Sequence, residues 1–142
     1  MSSPYQLFNT DKNLEQTGVT LDYGHFWIKV ARAGGSNKRY NKIAKDKLQP
    51  YQAQLRTETM DEVLADKLFR EIFAESVVLG WGSTELGSGV LPDAEGNPLE
   101  FTTENCIKLF QDLPDLFNDV REQANKISLF KKEEIKEALK NS

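Results

Sequence analysis

The chain has 142 residues, enough for one domain with a real core that needs no disulfide or metal to hold it. Its single cysteine, Cys106, excludes an intramolecular disulfide and fits a reducing compartment, and no run approaches the roughly 18 apolar residues that cross a bilayer. The net charge of −4 is unevenly placed: seven basic residues against Asp46 alone leave residues 29–47 at +6 and the remainder at −10.

Residues 1–17 are polar and irregular, and a partly ordered arm is expected there. They carry neither the basic start nor the apolar stretch of a secretory signal, so a cytoplasmic location is expected. Val19 to Tyr23 alternates apolar and polar residues, and Phe26 to Arg32 is rich in aromatic and β-branched ones. Gly24-His25 lies between them, which predicts a β-hairpin. Strand alternation puts Phe26 and Trp27 on opposite faces, with Ile28 and Val30 on one of them.

Ser36 or Asn37 caps the first predicted helix, whose apolar side holds Tyr40, Ile43, Ala44 and Leu48. Pro50 breaks it, and a short helical turn is expected over Tyr51–Leu55. A central helix is predicted over 59–80. Thr59 and Glu62 have capping-box spacing, and Leu64, Leu68, Phe69, Ile72 and Phe73 continue as a buried stripe into Val77 and Leu79. Trp81-Gly82 would close it. Residues 83–101 read as a long loop, with a tight turn at 92–98 between two short extended arms. Thr102 or Thr103 caps the next helix, Asp112-Leu113-Pro114-Asp115 marks a join, and a further helix runs over about 115–127. Lys131 to Lys140 is charged, with Ile135 and Leu139 at i and i+4.

The expected fold class is therefore mainly α with a short N-terminal β-hairpin (α+β). One compact domain of about four to five helices would span 18–130, followed by a charged C-terminal helix or tail over 131–142.

The residues that carry chemistry are sparse. His25, at the hairpin turn, is the only histidine, and Cys106 falls inside an amphipathic helix as a small buried hydrophobe. One Cys and one His do not make a zinc site, and neither a Walker loop nor a dinucleotide-binding glycine fingerprint is present. Asp93, Glu95, Asn97 and Glu104 match positions 1, 3, 5 and 12 of a calcium loop, but Pro98 stands where the sharp turn needs glycine. Gly34-Gly35-Ser36-Asn37 reads as an ordinary glycine turn into a helix rather than an anion site. No catalytic, metal or cofactor-binding residue is assigned, and no small-molecule substrate or membrane is expected. The expectation is a non-enzymatic binding protein. A pI of about 5.1 speaks against nucleic acid, while the basic segment fits either an acidic partner or a solvated helix face.

Three phrases together resemble the tail assembly chaperones of long-tailed, siphovirus-type bacteriophages. Phe26 to Asn37 is similar to a strand ending in an "I-x-V-A-R-A-G" phrase followed by Asn. The central helix runs into Ala74 to Trp81, and Asp93 to Asn105 is similar to a "D-x-x-G-x-x-x-x-[FY]-[ST]-x-E-N" turn-and-cap phrase. The order and spacing cover roughly residues 18–141. The resemblance implies a non-catalytic protein that keeps the tape-measure protein soluble and helps recruit tail-tube subunits. It implies action in the host cell cytoplasm during assembly and absence from the finished virion. It also implies the short form of a frameshifted pair, with Lys140-Asn141 as a candidate slippery site. Self-association stays open.

Binding amphipathic helices calls for an apolar groove with a charged rim. The candidate contact residues are Phe26, Trp27 and Trp81, drawn from aromatics that also include Tyr23, Tyr40, Tyr51, Phe101 and Phe130, with Lys38, Arg39 and Lys42 as the rim. Two alternatives stand beside this reading. One is a structural virion subunit, such as a tail-completion or head–tail connector protein. The other is an adaptor that meets an acidic partner through residues 29–47.

Overall fold

The computed structural model describes residues 3–131. The hairpin forms where the alternation places it: β1 (Val19–Asp22) pairs antiparallel with β2 (Phe26–Val30), Leu21 opposite Ile28 and Asp22 opposite Trp27. Leu21, Ile28 and Val30 are buried while Thr20 and Lys29 are exposed, so a period of two gives the ribbon one core face and one wet face.

The stretch expected to be a partly ordered arm carries two short helices, α1 (Pro4–Phe8) and α2 (Lys12–Thr17). Both starts are capped. Ser3 and Gln6 form a capping box, and the Asp11 carboxylate accepts from the amides of Asn13 and Leu14. Helices this short do not persist alone. The Lys131 ammonium, 5% exposed, donates to the carbonyls of Gln6 and Leu7 at 2.9 and 2.5 Å and closes the C-terminal end of α1. The Asp11 amide donates to the Phe130 carbonyl. The predicted charged segment 131–142 lies outside the described residues, Lys131 apart.

Asn37 caps α3 (Lys38–Leu48). A 3-10 turn (Gln49–Tyr51) follows at Pro50, then α4 (Gln52–Thr57) and α5 (Glu62–Ser76). The central helix differs from its prediction at both ends. Its cap is Asp61, which accepts from the Leu64 amide, so the Thr59–Glu62 box is not used. It stops at Ser76, and Val78–Ser83 forms β3.

That strand overturns the expectation of a mainly helical domain with β-structure confined to a hairpin. β3 pairs antiparallel with β2, Ile28 opposite Trp81 and Trp27 opposite Gly82, and with the short β4 (Gly87–Ser88). The result is a four-stranded sheet in the order β1-β2-β3-β4. A second, two-stranded sheet joins β5 (Val90–Pro92) to β6 (Pro98–Glu100) around the predicted tight turn. The fold is α+β with two sheets and five α-helices between residues 38 and 124. A short apolar run such as Val77 to Trp81 fits a buried helix turn or a strand equally by periodicity. The two adjacent valines favour the strand, and Gly80 and Gly82 count against continuing the helix.

Thr102 caps α6 (Thr103–Asp112), and Pro114 opens α7 (Pro114–Ala124); a 3-10 turn (Ile127–Phe130) ends the described chain. The helices cover the inner sheet face. Phe117 meets Phe73 edge-on at 5.6 Å and lies tilted against Phe110 at 4.9 Å, and the Arg121 guanidinium lies 4.8 Å from the Phe69 ring centroid. Among the described residues, no helix is long and apolar enough to cross a membrane.

The segment after β2 is where these layers are tied. Ala31 donates to the Val77 carbonyl, Arg32 to that of Glu15, and Ala33 to that of Ala124. The Asn37 side-chain amide donates to the carbonyls of Arg32 and Ser76 at 2.8 and 3.0 Å. Glu15 itself has no exposure. Its Oε2 accepts from Arg32 Nη1, and its Oε1 from the Ser36 hydroxyl at 2.7 Å and the Ser36 amide at 3.3 Å. Burial pushes the Glu15 carboxyl up, but the bonds from Arg32 and Ser36 and the Arg32 charge outweigh it and hold the carboxyl below its ordinary 4.5. Gly35, at φ +53, packs against this pair; a Cβ there would lie 2.5 Å from Glu15 Oε2 and 2.7 Å from Arg32 Nη1.

Removing one partner of a buried pair leaves an unmet charge, so Arg32→Ala is expected to destabilise by about 3–5 kcal/mol in urea unfolding at neutral pH. The sign of the pH effect follows from the lowered carboxyl. Stabilisation by ionised Glu15 is full above pH 4.5, its unfolded value, and is lost as the pH falls through the folded one. The stability gap between the protein and Glu15→Gln is therefore expected to be widest at neutral pH and to narrow in acid. A gap constant down to acid unfolding would contradict this.

Candidate functional site

Among the described residues, no helix covers the outer face of the four-stranded sheet. In register across it stand Thr20, Lys29 and Gly80, then Asp22, Trp27 and Gly82. Two glycines on β3 leave the middle of this face without side chains. At Gly82 the backbone is covered by the Trp27 indole, and a Cβ there would collide with that ring. At Gly80 the space above is open. A groove of about 210 Å³ follows, lined by Thr20, Trp27 and Lys29 of the hairpin, Gly80 and Trp81 of β3, and Ser88, Gly89 and Phe101. It offers aromatic surface, bare backbone and one ammonium, which suits an extended or helical polypeptide side chain.

The predicted contact residues divide. Trp27 is half-buried on the wet face and forms the wall of the groove. Phe26 belongs to the opposite face, stacked on Tyr23 at 4.9 Å and packed against the core. The Tyr23 hydroxyl donates to Asp119 Oδ2 at 2.7 Å; burial and that carboxylate raise the Tyr23 pKa far above its usual range. Trp81 is 3% exposed and packs in the core, with its remaining surface on the lining of the groove. Its indole N–H donates to the Leu99 carbonyl at 3.2 Å and its ring meets Phe101 edge-on, which joins the two sheets. Phe130 is fully buried, and Tyr40 packs edge-on against Phe73. Burial raises the Tyr40 pKa against the opposing charge of Arg121.

The predicted rim is also redistributed. Lys38 and Lys42 are exposed on α3, but α3 does not line the groove, whose cation is Lys29. The Arg39 Nε donates to the Glu75 carbonyl at 2.7 Å, at the C-terminal end of α5, and Lys47 lies 3.5 Å from the Glu75 carboxylate. With Arg32 held by Glu15, three of the seven cations in 29–47 have internal partners.

The chemistry-bearing residues hold structural positions. Cys106 is fully buried and burial pushes its thiol up to about 12. His25 is exposed on the hairpin turn. Asp93 Oδ1 accepts the amides of Glu95 and Asn97 at 2.9 and 2.8 Å, so this carboxylate closes the β5–β6 turn. Among the described residues, no group of three or more His, Cys, Asp and Glu is placed to hold a metal ion. The glycines at 80, 82 and 89 are what sequence reading missed. Alternation of Gly80 and Gly82 about Trp81 is the signal that could have found the bare face.

Gly82→Ala is expected to displace the Trp27 indole, costing about 1–3 kcal/mol and shifting tryptophan emission to the red. Unchanged emission would put Trp27 elsewhere. The Cys106 thiol is expected to resist maleimide in the native protein and to react on unfolding in urea; equal rates in the two states would contradict its burial.

Neither a curated protein nor a solved structure shows significant similarity to the chain. The family model for YdaY prophage protein matches residues 35–141, from the junction glycine through the α-helices and β3–β6. That stretch is most of the chain, and the protein belongs to the YdaY prophage protein family and is phage-derived.

Proposed function

We propose that this protein is a non-enzymatic tail assembly chaperone. It binds the tape-measure protein and helps recruit tail-tube subunits, and it acts in the host cytoplasm rather than in the finished particle. The observation that carries the reading is the open sheet face. Trp27 stands there partly exposed over a glycine floor, with Lys29 beside it and no described residue laid across it. A partly exposed tryptophan over bare backbone favours a polypeptide partner, because it supplies contact area with little side-chain entropy to lose. Phage ancestry and the resemblance of the three phrases point the same way. Those phrases hold the fold: the first is β2 and the junction, and the third is the β5–β6 turn with the α6 cap. Of the contact residues, Trp27 and Trp81 both line the groove, and Trp27 is the more exposed of the two. The adaptor reading loses weight because Arg32, Arg39 and Lys47 have internal partners.

The test is co-expression with the tape-measure and tail-tube proteins encoded nearby, followed by pull-down. The tape-measure protein is expected to be retained and to gain solubility, and Trp27→Ala, folded by circular dichroism, is expected to lose it. No retention, with this chain detected in purified particles, would replace the proposal by a structural virion subunit.

A further inference from the structure

A second opening lies away from the sheet face, between the β5–β6 turn and the C-terminal half of α6. It is a cleft of about 430 Å³. Leu99 and Leu109 line it as half-buried residues, and Leu113 as a 49% exposed one. The exposed acids Glu95 and Asp112 stand at its mouth, with Lys108 on the α6 side.

Two of these residues are badly placed as far as the described residues go. Leu113 leaves half of a large apolar side chain in water. Asp112 is the last residue of α6, where the unpaired carbonyls already give the helix a partial negative charge. A lysine or arginine would be the stabilising choice there, and none of the ion pairs among the described residues involves Asp112. Asp93, by contrast, is explained by the turn it closes. What remains is an apolar floor and an acidic mouth reinforced by a helix C-terminus. An occupant with an apolar side chain and a neighbouring cation answers both misfits at once.

We propose that this cleft docks a basic amphipathic helix of a partner protein. An apolar side chain of that helix inserts between Leu99, Leu109 and Leu113. A lysine or arginine one helical turn away meets Asp112 and the carbonyl end of α6, with Glu95 opposite. The site is separate from the Trp27 groove and holds whether or not the partner is the tape-measure protein. The α3 helix of a second copy does not fit the requirement, since its apolar side packs on α5 and its exposed side carries only polar and charged residues.

The experiment uses the full chain, isotope-labelled for amide NMR, and two synthetic peptides of about 14 residues. One places leucine at i, i+3, i+4 and i+7 with lysine elsewhere; the other has glutamate in place of lysine. The leucine–lysine peptide is expected to shift the amides of Ala94, Leu109 and Leu113 and to bind at least about tenfold more tightly than its acidic counterpart. Leu113→Ser is expected to weaken it about tenfold, and the Glu95→Lys, Asp112→Lys pair to reverse the preference between peptides. All three residues are exposed, and an unchanged melting temperature verifies each fold. Equal affinity for the two peptides, charge reversal without effect, or shifts confined to Trp27 and Lys29 would overturn the proposal. The pull-down above addresses a different surface, so either result stands without the other.

Discussion

Glu15 is fully buried, so both of its carboxylate oxygens must be met from within, and the rest of the fold is arranged about that demand. Arg32 answers one oxygen and Ser36 the other, from opposite ends of a turn that needs glycine between them. With the turn so held, Asn37 bonds back to Arg32 and across to Ser76, and starts α3. Ala31 and Ala33 reach the ends of α5 and α7 from the same stretch. The phrase from Phe26 to Asn37 is thus a junction between a strand, three helices and the N-terminal pair. Of its two basic residues, Arg32 is spent on the inside and Lys29 is exposed, and for that reason charge counted along 29–47 overstates what a partner would meet.

The junction also sets where the sheet can open. Because the chain leaves β2 through the helices and returns as β3 on the free side of β2, the hairpin is extended rather than capped. Among the described residues, helices then occupy one face only. The opposite face is left with a half-exposed tryptophan, an exposed lysine and two glycines. Burial divides the aromatics accordingly: Trp81 ties sheet to sheet, whereas Trp27, opposite Gly82 in the register, faces outward.

Much of the local order was legible. Alternation located the hairpin, Asn37 and Thr102 are the caps that composition pointed to, and the turn between two extended arms lies at 92–98. Other features depend on contacts that periodicity cannot see. Val78–Ser83 pairs with β2, which lies almost fifty residues earlier, and a run of that length reads equally well as the tail of a buried helix. The helices at 4–17 rely on Phe130 and Lys131, at the far end of the described chain. For the candidate site, alternation sufficed to separate Phe26 from Trp27. It could not separate Trp27 from Trp81, since that depends on which strand face the helices cover. The cleft beside α6 was invisible, because Leu113 looks like any helix-joining leucine until its exposure is known.

The Lys131 ammonium, described above as the clasp of α1, has a bearing on when the molecule completes itself. It joins residues 125 positions apart. A polypeptide made from its amino end presents Pro4–Phe8 to solvent long before the lysine exists, and one helical turn has too little cooperativity to wait in place. The loop that this contact closes spans nearly the whole described chain, so its entropy is met only after the sheet and helices have shortened the distance. Residues 4–8 are thereby among the last to settle, and their aromatics Tyr5 and Phe8 stay displayed to the surroundings throughout.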